Sequence, residues 1–128
     1  LNVISLTSNM PVITAWANDF DFESVFSRQI EATGHNLAVA IGLSTSGRSK
    51  NVLKGLKTAK RSGAHSILIT GSNPPDLAIE LVDTLVSIPS SNTAFVQTIT
   101  QLVYHSICQR IDEIALSTDG KQHPPRGS

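Results

Sequence analysis

The chain has 128 residues, enough for one domain built around a single hydrophobic core. Ten basic and ten acidic residues give a formal net charge of +0, which excludes the broad basic surface of a nucleic-acid-binding protein. The single cysteine, Cys108, excludes an internal disulfide, and no apolar run is long enough to cross a bilayer. We therefore expect a soluble, cytoplasmic globular protein with neither a membrane nor a nucleic acid as its direct partner.

Alternating strand and helix patterns predict the fold class. In chain order, the expected elements are a strand at Asn2–Leu6, a helix from Ser8 or Asn9 to about Ala17, a helix at Phe22–Ala32 capped by Asp21 and ended by Gly34, a strand at Leu37–Leu43, a helix from Ser49 to about Ser62, a strand at His65–Thr70, a helix from Pro74 or Pro75 to Val82, a strand at Thr84–Ile88, and a helix capped by Thr93 that ends near Leu116. The connections are short, which favours right-handed crossovers between parallel strands. We predict an α/β fold over residues 1–116, a parallel sheet with helices on both faces, and a disordered tail over residues 117–128.

The loop after the apolar run Leu37–Leu43 is the strongest functional signal. It carries four hydroxyl side chains around Gly47, and a helical pattern follows at once. These side chains are Ser44, Thr45, Ser46 and Ser49. Such a loop is either an ordinary strand-to-helix turn or a site that presents hydroxyls and backbone N–H groups to a phosphate monoester. The loops at Thr70–Asn73 and Pro89–Thr93 lie at the same edge of the predicted sheet, where ligands bind in such folds.

The last predicted helix carries a narrow polar row. At 100° per residue, the members of that row are Gln97, Gln101, Tyr104, His105 and Cys108. The row is either a solvated face with an incidental histidine, or a face turned towards a cleft or a neighbouring subunit. Gln97 and His105 lie two turns apart on nearly the same side, so both could reach one substrate or metal ion, although two ligands alone do not make a metal site.

A short acidic segment lies between the first two predicted helices. Asn18, Asp19 and Phe20 form either a cap and turn or a small sugar-binding element. In the second case the Asp19 carboxylate accepts hydrogen bonds from sugar hydroxyl groups.

Several of these segments together resemble one protein family. They are Ala17–Phe20, Phe26–Ala32, Ile41–Ser49, Asn51-Val52 and Ile88–Ser90, followed by Thr93, Ala94, Gln97 and His105. In these segments the chain resembles the SIS (sugar isomerase) domain, in the branch of phosphoheptose isomerase, also called sedoheptulose 7-phosphate isomerase. The Ser-Thr-Ser-Gly-x-Ser loop is typical of the whole superfamily. The Asn-Asp-Phe and Phe-Ser-Arg-Gln segments narrow the resemblance to this branch.

The resemblance implies a fold, an assembly and a set of site residues. The implied fold is a five-stranded parallel sheet in a flavodoxin-like or Rossmann-like three-layer sandwich, and the implied assembly is a homotetramer with active sites between subunits. The four hydroxyl residues Ser44, Thr45, Ser46 and Ser49 would hold the phosphate of a seven-carbon sugar. By the same resemblance, Asp19 would contact the sugar, His105 would be catalytic and Gln97 would contact substrate. A zinc ion held by Gln97 and His105 is the one cofactor that the resemblance implies, for part of the family.

Other family features are not found in this sequence. The family's N-terminal helical region, its first strand ending in Gly-Asn-Gly-Gly-Ser and its helix with a His and a catalytic Glu have no counterpart, and Thr98 and Thr100 stand where the enzyme commonly has Glu and His. Since an aldose–ketose isomerisation needs a base and an acid, we expect this chain alone to have little isomerase activity.

The start of the chain at Leu1, without Met, predicts a truncation that removes a central strand of the family's sheet. We therefore expect the Asn2–Leu6 and Leu37–Leu43 strands either to pair directly or to have the gap between them filled by another polypeptide segment. Unpaired inner edges would otherwise be costly to bury.

These observations predict a phosphosugar-binding SIS domain. If the whole protein is catalytic, it would convert sedoheptulose 7-phosphate to D-glycero-D-manno-heptose 7-phosphate. Two alternatives stay open: a non-catalytic SIS-domain scaffold that binds a protein partner, as in the replication-initiator-associating relative, and a sensor that binds a sugar phosphate without turnover.

Overall fold

A computed structural model of the chain describes residues 2–33 and 36–118 and contains a parallel sheet of three strands. The strands are Val39–Ser44 (β1), His65–Thr70 (β2) and Thr84–Ser87 (β3), in the spatial order β1-β2-β3. Both pairings are parallel, with Val39 opposite His65 and Ile67 opposite Thr84. The predicted α/β fold with a parallel sheet is confirmed.

Five α-helices and one short 3-10 helix surround this sheet in the described part of the chain. They are Met10–Asp19 (α1), the 3-10 helix Phe22–Ser24, Val25–Thr33 (α2), Lys50–Arg61 (α3), Asp76–Leu81 (α4) and Thr93–Thr118 (α5). The helix predicted over Phe22–Ala32 therefore consists of two pieces. The predicted terminator Gly34 and residues 119–128 lie outside the described residues.

Helices begin next to side chains that accept a hydrogen bond from a free N–H group of the first helical turn. Asn9 caps α1, and Asp21 caps the 3-10 helix by accepting the Ser24 N–H at 2.6 Å. The prediction that Thr93 caps the last helix was wrong. Thr93 is the first helical residue, and the amide oxygen of Asn92 accepts the Phe95 N–H at 3.0 Å.

The N-terminal segment is not a strand, which corrects the prediction for Asn2–Leu6. Its backbone turns instead, because the Ser8 N–H donates to the Ser5 carbonyl at 3.1 Å. The Leu6 carbonyl accepts a hydrogen bond from the Gln29 side chain on α2, so this end of the chain is held by a helix rather than by the sheet. A strand needs a partner for its backbone, and among the described residues no sheet edge pairs with this segment.

Helices cover the two faces of the sheet with separate apolar clusters. On one face, α3 and α4 pack Leu56 and Ala78 against Leu68 of β2. On the other face, Val96 of α5 packs against Ile69, which neighbours Leu68 and points the opposite way. Burying a side chain as large as Leu68 contributes about 1.5–3 kcal/mol, so these central residues fix β2 between the helices.

β1 is an edge strand of the sheet, and one of its two faces is apolar and half exposed. Val39, Ile41 and Leu43 alternate along the strand and expose 46–50% of their surface. β2 is the one described strand that pairs with β1, so the first of the two predicted alternatives, direct pairing with Asn2–Leu6, is not observed. Sheet edges of this kind are normally shortened, charged or covered.

No helix within the described ranges is both long and apolar enough to span a membrane.

Candidate functional site

The carboxyl ends of the three strands meet at one edge of the sheet, and hydrogen bonds tie their loops together. The Gly71 N–H after β2 donates to the Thr45 carbonyl after β1 at 3.0 Å. The Ser72 N–H donates to the Ser90 carbonyl after β3, also at 3.0 Å. The Ser87 hydroxyl donates to the Gly71 carbonyl at 3.1 Å. The three loops therefore form one connected platform.

A small cavity of about 250 Å³ opens on this platform. Residues of all three loops line it: Thr45, Ser46, Arg48, Ser72, Asn73, Ser91 and Thr93. The lining contains hydroxyls, one amide and one cation, and it contains no carboxylate and no imidazole. This donor-rich composition suits an anion that also carries hydroxyl groups.

The four predicted hydroxyl residues divide into two pairs. Thr45 and Ser46 line the cavity. Ser44 is buried, its hydroxyl hydrogen-bonds that of Ser49 at 2.9 Å, and neither of these two residues lines the cavity. This Ser44–Ser49 bond spans the loop and holds the start of α3 against the end of β1.

Within the loop, backbone N–H groups are bonded to the loop's own oxygens. The Gly47 N–H donates to the Ser44 carbonyl at 3.0 Å, and the Arg48 N–H donates to the Ser46 hydroxyl at 3.2 Å. Gly47 has φ +65°, which a residue with a side chain rarely adopts. Ser49 makes no side-chain cap on the twelve-residue helix α3. The positive end of this helix dipole thus lies at the loop.

Arg48 is the cation available at the cavity. Its guanidinium makes no ion pair with any residue that the structure describes. Lys50, two residues on, is engaged elsewhere: its ammonium lies 2.8 Å from the Glu23 carboxylate, and this hydrogen bond and charge raise the pKa of Lys50. An exposed lysine paired in this way contributes little to a ligand, so Arg48 dominates the local positive potential.

Asp19 lies in a different place from the loop cavity. It lines a separate groove of about 540 Å³ between α1, α2 and the N-terminal segment, together with apolar residues such as Trp16 and Phe20. Its carboxylate accepts a hydrogen bond from Asn18 at 3.0 Å. The groove and the loop cavity share no lining residue. The structure therefore does not bring Asp19 to the hydroxyl loop, and its contact with a sugar stays a prediction.

Gln97 and His105 are exposed on α5 and line neither cavity. The His105 ring lies 4.9 Å from the ring of Tyr104, centroid to centroid. A rise of 1.5 Å per residue separates Gln97 and His105 by about 12 Å along the helix. Their predicted roles, catalysis for His105 and substrate contact for Gln97, stay predictions.

The described residues do not fit a zinc ion. They contain no group of three or more His, Cys, Asp or Glu side chains that could hold a metal. Protein zinc sites use at least three such ligands, whereas Gln97 and His105 supply two donors two helical turns apart. Thr98 and Thr100 add no ligand, because their hydroxyls donate to backbone carbonyls of their own helix.

Several lining residues were not among the predicted site residues. In the sequence Arg48 stands out only as part of a motif, and no pattern singles out an individual residue of the two later loops for phosphate binding. The available signal was their position: Ser72, Asn73, Ser91 and Thr93 all follow strands whose carboxyl ends share one edge.

The parallel fold and the hydroxyl loop at its carboxyl edge agree with the resemblance to the SIS (sugar isomerase) domain. The comparisons with known proteins agree with this class. The chain is 44% identical over 113 residues to the probable phosphoheptose isomerase of Thermoplasma acidophilum, covering 88% of this chain and 62% of that protein. It is 40% identical over 112 residues to the phosphoheptose isomerase of Synechocystis sp., covering 88% and 57%.

Solved structures give the same result. Phosphoheptose isomerase GmhA from Neisseria gonorrhoeae superposes with a TM-score of 0.77 at 37% identity, over 84% of this chain and 61% of that one. A phosphoheptose isomerase from Francisella tularensis superposes with a TM-score of 0.80 at 30% identity, over 86% and 59%. No protein-family model matches the chain.

Over most of its length the chain is therefore a homologue of the phosphoheptose isomerases of the SIS family. It spans about six tenths of the length of the relatives that it matches.

Proposed function

We propose that this chain binds sedoheptulose 7-phosphate, with the phosphate at the loop of residues 44–49 and the sugar extending towards Ser72 and Asn73. One observation carries this proposal: Thr45, Ser46 and Arg48 line a single cavity at the start of α3, and that cavity contains no acidic side chain. The similarity to phosphoheptose isomerases supports the choice of a seven-carbon sugar phosphate.

Phosphate binding in this loop requires an exchange of hydrogen bonds. In the structure the Ser46 hydroxyl accepts the Arg48 N–H at 3.2 Å. A phosphate oxygen is a stronger acceptor and would take this N–H, while the Ser46 and Thr45 hydroxyls turn to donate to the same anion. The Arg48 guanidinium adds a charge-assisted contact. The loop therefore gains donors for the ligand without unfolding.

For the whole protein we propose isomerisation to D-glycero-D-manno-heptose 7-phosphate. This reaction moves one proton from C1 to C2 and another from O1 to O2, so it needs an acid and a base near those atoms. The lining of the loop cavity offers neither, and His105 on α5 is the proposed catalytic group. A cytoplasmic homotetramer, as predicted from the resemblance, is part of the same proposal.

A second candidate function is a sugar-phosphate sensor, or a scaffold that keeps the fold without turnover. The absence of a carboxylate or imidazole from the loop cavity favours this alternative for the described part of the chain. An enzyme and a sensor would both bind the phosphosugar, and only the enzyme would convert it. A scaffold that has lost the binding site would not be stabilised by a phosphosugar.

The test is calorimetric titration of the purified chain with sedoheptulose 7-phosphate and, in parallel, with sedoheptulose. We expect the phosphorylated sugar alone to bind. Arg48→Gln removes a charge-assisted bond worth roughly 1.5–3 kcal/mol and should weaken binding about 10- to 100-fold. Ser106→Ala is the matched control, because the Ser106 hydroxyl donates within α5 and lines neither cavity.

Equal binding of both sugars, or unchanged binding in Arg48→Gln, would contradict the proposed site. Turnover is measured separately, with sedoheptulose 7-phosphate as substrate. We expect little turnover by the 128-residue chain, since its loop cavity provides no acid or base. Robust turnover would show that a catalytic base is already in place.

A further inference from the structure

Thr70, the last residue of β2, has a buried hydroxyl group that makes no hydrogen bond. Its side chain is fully buried, and Oγ1 is the one such oxygen without a partner among the side chains that the structure describes. Buried hydroxyl groups are almost always hydrogen-bonded, so a buried hydroxyl without a partner indicates a specific role.

This hydroxyl lies against the centre of the hydroxyl loop. A Cβ atom placed on Gly47 would be 3.1 Å from Thr70 Oγ1 and 2.7 Å from the Pro74 Cβ. Thr70 itself is firmly held, since its carbonyl accepts the Ile88 N–H at 2.8 Å and its Cα pairs with Ser44 across the sheet. The hydroxyl group is therefore a fixed donor placed next to the one loop residue with a positive φ.

We propose that Thr70 is a positioning residue of the phosphate loop. When a phosphate monoester binds, the N–H groups of Gly47 and Arg48 leave the Ser44 and Ser46 oxygens that they hold in the unliganded loop. The loop peptides then rotate, and the Thr70 hydroxyl donates to a main-chain carbonyl beside Gly47. With the carbonyl side of these peptides held by Thr70, their N–H groups stay directed at the phosphate. This inference rests on the proposed function.

The role has a signature that a purely structural hydroxyl lacks. In the unliganded protein the Thr70 hydroxyl is a buried polar group without compensation, so replacing it by a methyl group should leave the stability unchanged or raise it. In the phosphate-bound protein the same replacement removes a hydrogen bond. Stability and affinity should therefore move in opposite directions.

The experiment uses the full chain with Thr70→Val, Thr70→Ser and a control, Thr14→Val. The Thr14 hydroxyl donates within α1 at 2.9 Å and lies away from the loop. The thermal midpoint without ligand and the dissociation constants for inorganic phosphate and sedoheptulose 7-phosphate are measured for each variant.

We expect Thr70→Val to keep or raise the thermal midpoint. Its affinity for each of the two ligands should fall about three- to tenfold, which is the contribution of one neutral hydrogen bond. Thr70→Ser should restore affinity to within about twofold, because it keeps the donor. Thr14→Val should leave both affinities unchanged.

Three results would overturn the inference. If Thr70→Val binds both ligands as tightly as the wild type, the hydroxyl does not act on the loop. If Thr70→Val lowers the midpoint and the affinity together, the hydroxyl is structural. If the wild-type chain binds neither ligand, the proposed function is wrong, and the role of Thr70 is wrong with it. In the first two results the wild type binds, so they contradict the role of Thr70 alone.

Discussion

Gly71 is a position at which the platform of the three loops cannot accept one added atom without a shift of the backbone. A Cβ at Gly71 would lie 2.7 Å from the Ser90 carbonyl oxygen and 2.8 Å from the Thr45 carbonyl oxygen. Both neighbours are backbone atoms of the adjoining loops, so no side-chain rotation can relieve the contact. Gly71→Ala must therefore push the β1 and β3 loops apart at the cavity.

The cost of Gly71→Ala follows from this geometry. Overpacking a tight site costs about 1–3 kcal/mol. Weakening the Gly71–Thr45 backbone hydrogen bond adds about 0.5–1.5 kcal/mol. The expected loss of stability is thus roughly 1.5–4.5 kcal/mol, measured as the free energy of unfolding in urea. Because the loops that separate are those that line the cavity, affinity for sedoheptulose 7-phosphate should fall as well.

Gly63→Ala is the matched control for this prediction. Gly63 has φ +88°, and no atom lies within 4 Å of the position that an alanine Cβ would occupy, so alanine there costs only the backbone penalty of about 1–2 kcal/mol. It should destabilise the protein without altering phosphosugar affinity. A Gly71→Ala protein as stable as the wild type would contradict this prediction, and so would one that loses stability while its phosphosugar affinity matches that of Gly63→Ala.

Three further predictions concern the rest of the fold. The Asp83 carboxylate accepts hydrogen bonds from Ser66 and pairs with a lysine, and these contacts lower the pKa of Asp83. Asp83→Asn should therefore be less stable than the wild type at pH 7. In urea unfolding, this difference should shrink as the pH falls below the ordinary aspartate pKa of 3.8. Ile41→Lys, on the half-exposed face of the edge strand β1, should change the free energy of unfolding by less than about 1 kcal/mol, whereas Leu68→Ala should cost about 2–5 kcal/mol. Asn92→Ala removes the α5 cap and should lower stability by about 1 kcal/mol in thermal unfolding, with no loss if Thr93 were the cap.

The elements that the sequence predicted well are those whose signals are local. The strand predicted at His65–Thr70 is observed with the same bounds, because an apolar run follows a glycine that ends the preceding helix. The strand predicted at Asn2–Leu6 has a similar apolar pattern but does not form. A strand depends on a partner elsewhere in the chain, and periodicity alone cannot say whether that partner is present.

The candidate site shows the same division between local and distant information. The hydroxyl loop was predicted from one continuous segment, and Thr45 and Ser46 do line the cavity. The pairing of Ser44 with Ser49 was not predicted, because rotamers and hydrogen bonds within a loop do not follow from residue order. The remaining lining residues come from two other loops, and only the register of the sheet brings them together.

Helical periodicity predicted correctly that Gln97 and His105 lie on one face of α5. It could not predict whether that face contacts solvent, another part of the fold or a second subunit. In the structure this face is exposed, and α5 packs on the sheet through Val96 and Ile99. A helix face is defined by its own sequence, whereas its neighbour is defined by the rest of the fold.

We propose above all that the loop of residues 44–49 receives the phosphate group of a sugar. The most direct measurement is the change in backbone amide NMR shifts during titration with sedoheptulose 7-phosphate, with sedoheptulose as the reference. We expect saturable shifts that are largest at Ser46, Gly47 and Arg48 and that require the phosphate. Shifts centred on the groove between α1 and α2, or shifts of equal size with the unphosphorylated sugar, would contradict this proposal.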